Sequence, residues 1–249
     1  TQGIAYLPDL ELGHRRLLCI YICYNLSAET VKGISPQRLH PPMERISIYG
    51  NVLWRWKRCP PPKESWDDEW VNIREAVELI GDAIPRRGGT WADLGAGDGT
   101  FTRALVELLG PEDLIYAVDR NHRAVAALKR WADAEAVRVT PVLADFSKPF
   151  DLPGLGQGML DGMLFANSLH FARNADLVLA RLVTQLRPGG RVVIVEYDGR
   201  RPSPWVPHPI SSARLPALAA SAGLSAPVII ATRPSAFGGT LYAAMAERP

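Results

Sequence analysis

From Trp66 onward the apolar positions switch repeatedly between two periods. Trp70, Ile73, Val77, Ile80 and Ile84 recur at helical spacing over residues 69–84, before Pro85 and Gly88-Gly89 break the pattern. Short apolar runs at 90–94, 114–118, 137–143, 159–165, 191–196 and 228–232 read as strands. Helical patterns at 100–109, 121–134, 176–186 and 211–222 separate them, the third stopping at Pro188-Gly189-Gly190. Strands separated by helices pair in parallel through crossovers, which predicts a three-layer α/β sheet. A last run at 241–246 follows the sixth strand after only eight residues, too few for a helical crossover, so it is expected to be antiparallel. Pro141 lacks the donor that a central ladder needs, so the third strand belongs at a sheet edge.

Residues 1–65 carry no such period. The apolar run Leu17–Tyr24 is far shorter than the roughly 20 residues that span a bilayer. His14-Arg15-Arg16 ahead of it resembles the start of a secretory signal only faintly, with no good cleavage site after it. Composition sharpens the division. The 249 residues are 47% hydrophobic and 22% charged with a formal charge of +2, an ordinary globular balance with no general pull toward nucleic acid or anionic membrane. Residues 1–65 hold nine Lys and Arg against five Asp and Glu, together with all three cysteines, Cys19, Cys23 and Cys59. Pro60-Pro61-Pro62 is a stiff extended break. The chain therefore reads as an N-terminal extension, 1–65, and a main domain, 66–249. The chain begins at Thr1 and Met43 offers an internal start, so the fold of the front stretch stays open. Cys19 and Cys23 stand four apart without a second ligand pair, so no metal site is expected and the thiols suit a reducing, cytoplasmic setting.

Candidate chemistry gathers at the strand ends, where open parallel sheets bind ligands. Those ends read Asp93-Leu94-Gly95-Ala96-Gly97-Asp98-Gly99, Asp119, Asp145-Phe146, Asn167 and Glu196-Tyr197-Asp198. Glycines at 95, 97 and 99 let the backbone turn sharply and approach a ligand, while the following helix points its amides at it. Asp93 is placed to accept from an ammonium group, Asp119 from ribose hydroxyls, and Asp145 from an adenine amino group. Thr100 stands where a nicotinamide fingerprint has glycine, which weighs against a hydride-transferring oxidoreductase.

The ordered set resembles the class I S-adenosylmethionine-dependent methyltransferases. Trp91 to Thr102 looks like their motif I, Ala117-Val118-Asp119-Arg120 their acidic motif, Leu143-Ala144-Asp145-Phe146 their adenine motif, and Leu186 to Arg191 the turn before their fifth strand. Within that group it most resembles the small bacterial type 11 enzymes, in which stretches like Ala166 to Phe171 and Pro204 to Pro207 recur. The resemblance covers roughly residues 70–249 and implies a seven-stranded Rossmann-like sheet of order 3-2-1-4-5-7-6 with strand seven antiparallel. It implies S-adenosyl-L-methionine as cofactor. Gly95, Gly97 and Gly99 would line its methionine part, Asp119 its ribose, and Asp145 with Phe146 its adenine, with Asn167 alongside; Asp93, Ala96 and Arg120 are further cofactor-binding candidates.

Methyl transfer is an in-line displacement, so the protein mainly aligns the partners and removes a proton where the acceptor has one. His170 is the candidate general base, with a histidine merely packed on the cofactor as the bland alternative. Glu196, Tyr197, Trp205 and His208 are candidate contacts to a small-molecule acceptor. Asn167-Ser168-Leu169-His170 is not the motif of enzymes that methylate nucleic-acid amino groups, so nucleic acid is not the expected partner. The helix at 69–84 stands where such enzymes carry a lid, or it packs across the sheet. A binding module without turnover remains the alternative to an enzyme.

Overall fold

The computed structural model describes the backbone of 43–48 and 51–56, and residues 71–85, 89–156, 159–235 and 238–249. The chain divides into two compact units, Thr1–Lys63 and Glu64–Pro249. The cysteines, the Pro60-Pro61-Pro62 break and residues 69–70 of the expected 69–84 helix lie outside the described residues, while 71 and 72 precede its observed start.

The first unit holds an antiparallel hairpin, β1 (Met43–Ile48) and β2 (Asn51–Trp56), with Arg45 opposite Trp54. Periodicity over so short a stretch did not reveal it, although Ile46, Ile48, Val52, Trp54 and Trp56 all favour strands.

The second unit opens with α1 (Ile73–Ile80). Asn72 caps it reciprocally: its side chain accepts from the Glu75 amide at 2.9 Å while Glu75 accepts from the Asn72 amide at 2.9 Å. Then follow β3 (Thr90–Leu94), α2 (Thr100–Leu109), β4 (Leu114–Asp119), α3 (His122–Glu135), β5 (Val139–Leu143) and β6 (Leu160–Ala166). The chain closes with α4 (Ala175–Val183), β7 (Leu186–Asp198), α5 (Leu215–Ser221), β8 (Val228–Pro234) and β9 (Thr240–Glu247). The sheet runs β5-β4-β3-β6-β7-β9-β8, with β9 antiparallel to both neighbours. Counted from β3, that is the order 3-2-1-4-5-7-6 implied by the resemblance.

Side chains alternate across the sheet and so fill two cores. Leu94, Tyr116, Val118 and Phe165 face Val178, Leu179 and Leu182 of α4 and Leu215 and Leu218 of α5. Trp91, Ile115, Ala117 and Leu164 face Ala76 and Ile80 of α1, Ala104 and Leu105 of α2, and Leu128 of α3. Of the two roles open to α1, the structure shows packing: it buries Ala76, Leu79 and Ile80, and Glu75 pairs with Arg233 of β8 at 2.7 Å.

Pro141 sits on the edge strand β5, opposite Ala117. The Ala144 amide donates inward to Asp119 and the Ile115 amide reaches Arg138. Alternation then turns the nitrogens of 139, 141 and 143 to the open side, where proline loses no ladder bond. The expected stop at Pro188-Gly189-Gly190 falls elsewhere. The helix ends at Val183 and β7 begins at Leu186, opposite Leu160, with a register shift before Gly162 meets Arg191. Strand pairing overrides the local punctuation there.

Candidate active site

The ends of β3, β4, β6 and β7 form one row, and the predicted residues sit along it. The loop after β3 turns on Gly95, Gly97 and Gly99, all at positive φ. Glycine is required twice over at Gly95 and Gly99. A Cβ at Gly95 would stand 2.5 Å from the Ser168 Cβ, and one at Gly99 would stand 2.3 Å from a Leu128 methyl. Ala96 turns its methyl into the core, so only its backbone can serve a ligand; its amide, like that of Gly95, donates to the Val118 carbonyl. Asp98 accepts from the Thr100 hydroxyl at 3.1 Å, which ties the loop to the start of α2.

Asp93 is 1% exposed beneath this loop. One carboxyl oxygen accepts from the Thr102 hydroxyl at 2.6 Å, while the other is buried with no partner. Burial pushes this carboxyl up to about 7, opposed by the Thr102 bond and helped by the charges of Asp119 and Asp98. Asp119 accepts from the Gly97 amide at 2.8 Å and, with its other oxygen, from the Asn121 amide at 2.7 Å. Each oxygen keeps a second lone pair for a hydroxyl. Arg120 reaches toward Phe171, its guanidinium carbon 5.7 Å from the ring centre.

Asp145 opens a tight turn, accepting from the Ser147 hydroxyl at 2.6 Å and its amide at 3.0 Å. The hydroxyl bond, against some desolvation and aided by the Ser147 amide, Lys148 and Arg120, holds this carboxyl below the usual range. Phe146 meets Phe165 edge-on, centroids 5.7 Å apart, and lies under Gly95. Leu143, 59% exposed, is the more open apolar surface at that strand end.

After β6 the chain takes an unusual step. Asn167 adopts φ 52, and its side-chain oxygen is buried without a partner. Ser168, which sequence reading passed over, donates to the Leu94 carbonyl at 2.6 Å and locks the end of β6 to that of β3. His170 is 2% exposed. Its Nδ1 lies 2.7 Å from one oxygen of Glu196, and its backbone amide donates to the other at 3.1 Å. A carboxylate that accepts from both puts a proton on Nδ1, so the neutral ring carries its lone pair on Nε2, which is buried without a partner.

The acceptor candidates separate. Glu196 is 0% exposed behind His170, its carboxyl engaged by that residue's ring and backbone amide. Tyr197 is half-buried under Arg200, whose guanidinium carbon is 4.9 Å from the ring; burial, mainly, raises its hydroxyl. Trp205 is 44% exposed, and the His208 amide donates to the His170 carbonyl at 3.1 Å, drawing its loop against the histidine turn. Asp198 accepts from Ser212 at 2.5 Å and closes that loop. Among the described residues, no group of three His, Cys, Asp or Glu could hold a metal ion, and no helix is long and apolar enough to cross a membrane.

The orphaned oxygen of Asp93 suits an ammonium group, and the positive-φ glycines with the spare lone pairs of Asp119 suit a nucleoside amino acid. The sheet order is the one shared by the class I S-adenosylmethionine-dependent methyltransferases. Residues 92–190 match the family model described as "Methyltransferase domain".

The chain is 28% identical over 120 residues to the ubiquinone/menaquinone biosynthesis C-methyltransferase UbiE of Burkholderia mallei, matching 48% of this chain and 47% of that protein. It is 26% identical over 218 residues to the highly reducing polyketide synthase stpks1 of Strobilurus tenacellus, matching 84% of this chain and 8% of the synthase. The chain thus spans less than half the length of these relatives. Among solved structures it resembles the 1,6-didemethyltoxoflavin-N1-methyltransferase of Burkholderia thailandensis, with TM-score 0.57 and 22% identity over 74% of this chain and 80% of that one. The CurJ carbon methyltransferase aligns with TM-score 0.54 and 18% identity over 68% of this chain and 50% of that one. At such identity the likeness is one of fold.

Proposed function

We propose that residues 66–249 transfer a methyl group from S-adenosylmethionine to a small-molecule acceptor that gives up a proton to Nε2 of His170. The observation that carries this reading is the buried His170–Glu196 pair at 2.7 Å. Glu196 fixes the tautomer, and the remaining lone pair stands in the row of strand ends with no protein partner.

When bound, the cofactor supplies an electrophilic methyl on a sulfonium sulfur. Asp93 holds its ammonium group, Asp119 its ribose, and Asp145 with Phe146 its adenine. Ala96 and Arg120 flank it, and Asn167 turns its side-chain oxygen toward it. Tyr197, Trp205 and His208 line the acceptor side. The likeness to the 1,6-didemethyltoxoflavin-N1-methyltransferase, an enzyme named for a small-molecule substrate, supports a small molecule over nucleic acid. The formal charge of +2 favours neither nucleic acid nor membrane, and a reducing, cytoplasmic setting suits three cysteines in so long a chain.

Turnover is tested on a panel of metabolites with acidic C–H, N–H or O–H groups, reading S-adenosylhomocysteine release. His170→Ala is expected to lower kcat roughly 10²–10⁴-fold while S-adenosylhomocysteine binding is kept. Cofactor binding without turnover of any panel member supports the non-catalytic module instead, whereas turnover at an unchanged rate in His170→Ala removes His170 as the base.

A further inference from the structure

The turn that carries Asp145 and Phe146 is held from a different element. Arg181, in the last turn of α4, donates through Nη2 to the Phe146 carbonyl at 2.6 Å and through Nη1 to the Lys148 carbonyl at 2.8 Å. Two carbonyls two residues apart are matched by the fixed fork of one guanidinium, which an ammonium cannot copy. Arg181 is half-buried, and both bonds go to backbone instead of a carboxylate. Those carbonyls bracket the same turn in which Ser147 saturates one oxygen of Asp145 and leaves the other facing out, 3.7 Å from the Lys148 ammonium. With Phe146 wedged on Phe165, the turn is pinned on its core side, and only the outer oxygen of Asp145 is available to a ligand.

We propose that Arg181 is a positioning residue for base recognition. By fixing the 145–148 turn it aims the outer oxygen of Asp145 at the amino group of the cofactor's purine, so the site prefers an amino-purine to an oxo-purine. This rests on the reading that Asp145 meets the adenine. A loosened turn still offers Phe146 as a stacking surface, so its loss falls on the hydrogen bond and not on general affinity.

The test is calorimetric titration of the full chain with S-adenosylhomocysteine and with S-inosylhomocysteine, whose base carries an oxo group in place of the amino group. The native protein is expected to favour the adenosyl compound by about tenfold or more, as expected for a lost charge-assisted hydrogen bond. Arg181→Ala should weaken the adenosyl compound by about that factor, leave the inosyl compound within about twofold, and so erase the preference. Arg181→Lys, which can donate to one carbonyl at a time, should fall between them, and it decides the matter if the alanine variant does not fold. Equal weakening of both ligands, or a preference kept in the variants, overturns the role of Arg181 alone. No binding of either ligand by the native protein overturns the cofactor reading itself.

Discussion

Asp93 combines two demands that conflict. As a buried acid it is favoured neutral, and its carboxyl lies at about 7 against an ordinary 3.8. As a receptor for an ammonium group it must be charged. Between about pH 4 and 7 the folded, ligand-free protein holds a proton there that the unfolded chain has released. This contribution to stability is complete below the ordinary value and is lost as pH rises through about 7. Binding runs the other way, since the ligand selects the carboxylate. S-adenosylhomocysteine affinity is therefore expected to rise with pH up to about 7 and then level off, with a proton released on binding in the lower range. Calorimetry in buffers of different ionisation enthalpy measures that proton, and affinity that stays flat across the range would sink the assignment. Thr102→Val removes the one bond that favours the charged form, so it should move the midpoint upward. The sequence displayed Asp93 and the glycines because a positive φ leaves few alternatives to glycine. It displayed His170 but not its partnership with Glu196. That pairing spans 26 residues and exists only because β6 and β7 end side by side.

The elements were legible wherever burial imposed a period. Both cores follow from alternation along β3, β4 and β6, and Pro141 marked its own edge. What local pattern could not supply was pairing. The beginning of β7 at Leu186 is set by Leu160 across the ladder, and no local signal in Pro188-Gly189-Gly190 foretells it. The hairpin of β1 and β2 is likewise a matter of partners. Gly162 shows how strictly one register holds. It lies opposite Trp91, and a Cβ there would stand 2.3 Å from two atoms of the indole. Gly162→Ala must displace a fully buried tryptophan in the central strand pair, so it is expected to destabilise the domain by roughly 1–3 kcal/mol. Denaturant melts of the two proteins measure it. A loss below that range would mean that Trp91 has room to move.

The two units differ in which assigned residues they carry. Every residue proposed for the cofactor, the proton transfer or the acceptor, from Asp93 to His208, lies in Glu64–Pro249, as does the match to the methyltransferase model. A chain beginning at Glu64 is thus expected to fold and to bind S-adenosylhomocysteine within about twofold of the full chain. Calorimetry on the shortened protein checks this, and a loss of tenfold or more would assign the first unit a part in the site.

The sheet's outer margin at β5 has a bearing on assembly. On its open side the nitrogens of 139, 141 and 143 face outward, and the middle one carries no hydrogen. The Val139 amide is already taken by the Val137 carbonyl at 2.9 Å, which leaves the Leu143 amide as the outward donor of β5, too little to guide a visiting strand into register. Pro141 therefore does more than mark an edge: it leaves a missing rung where another chain would have to begin its ladder, and so keeps the sheet from growing by recruitment at the side that carries the Asp145 turn.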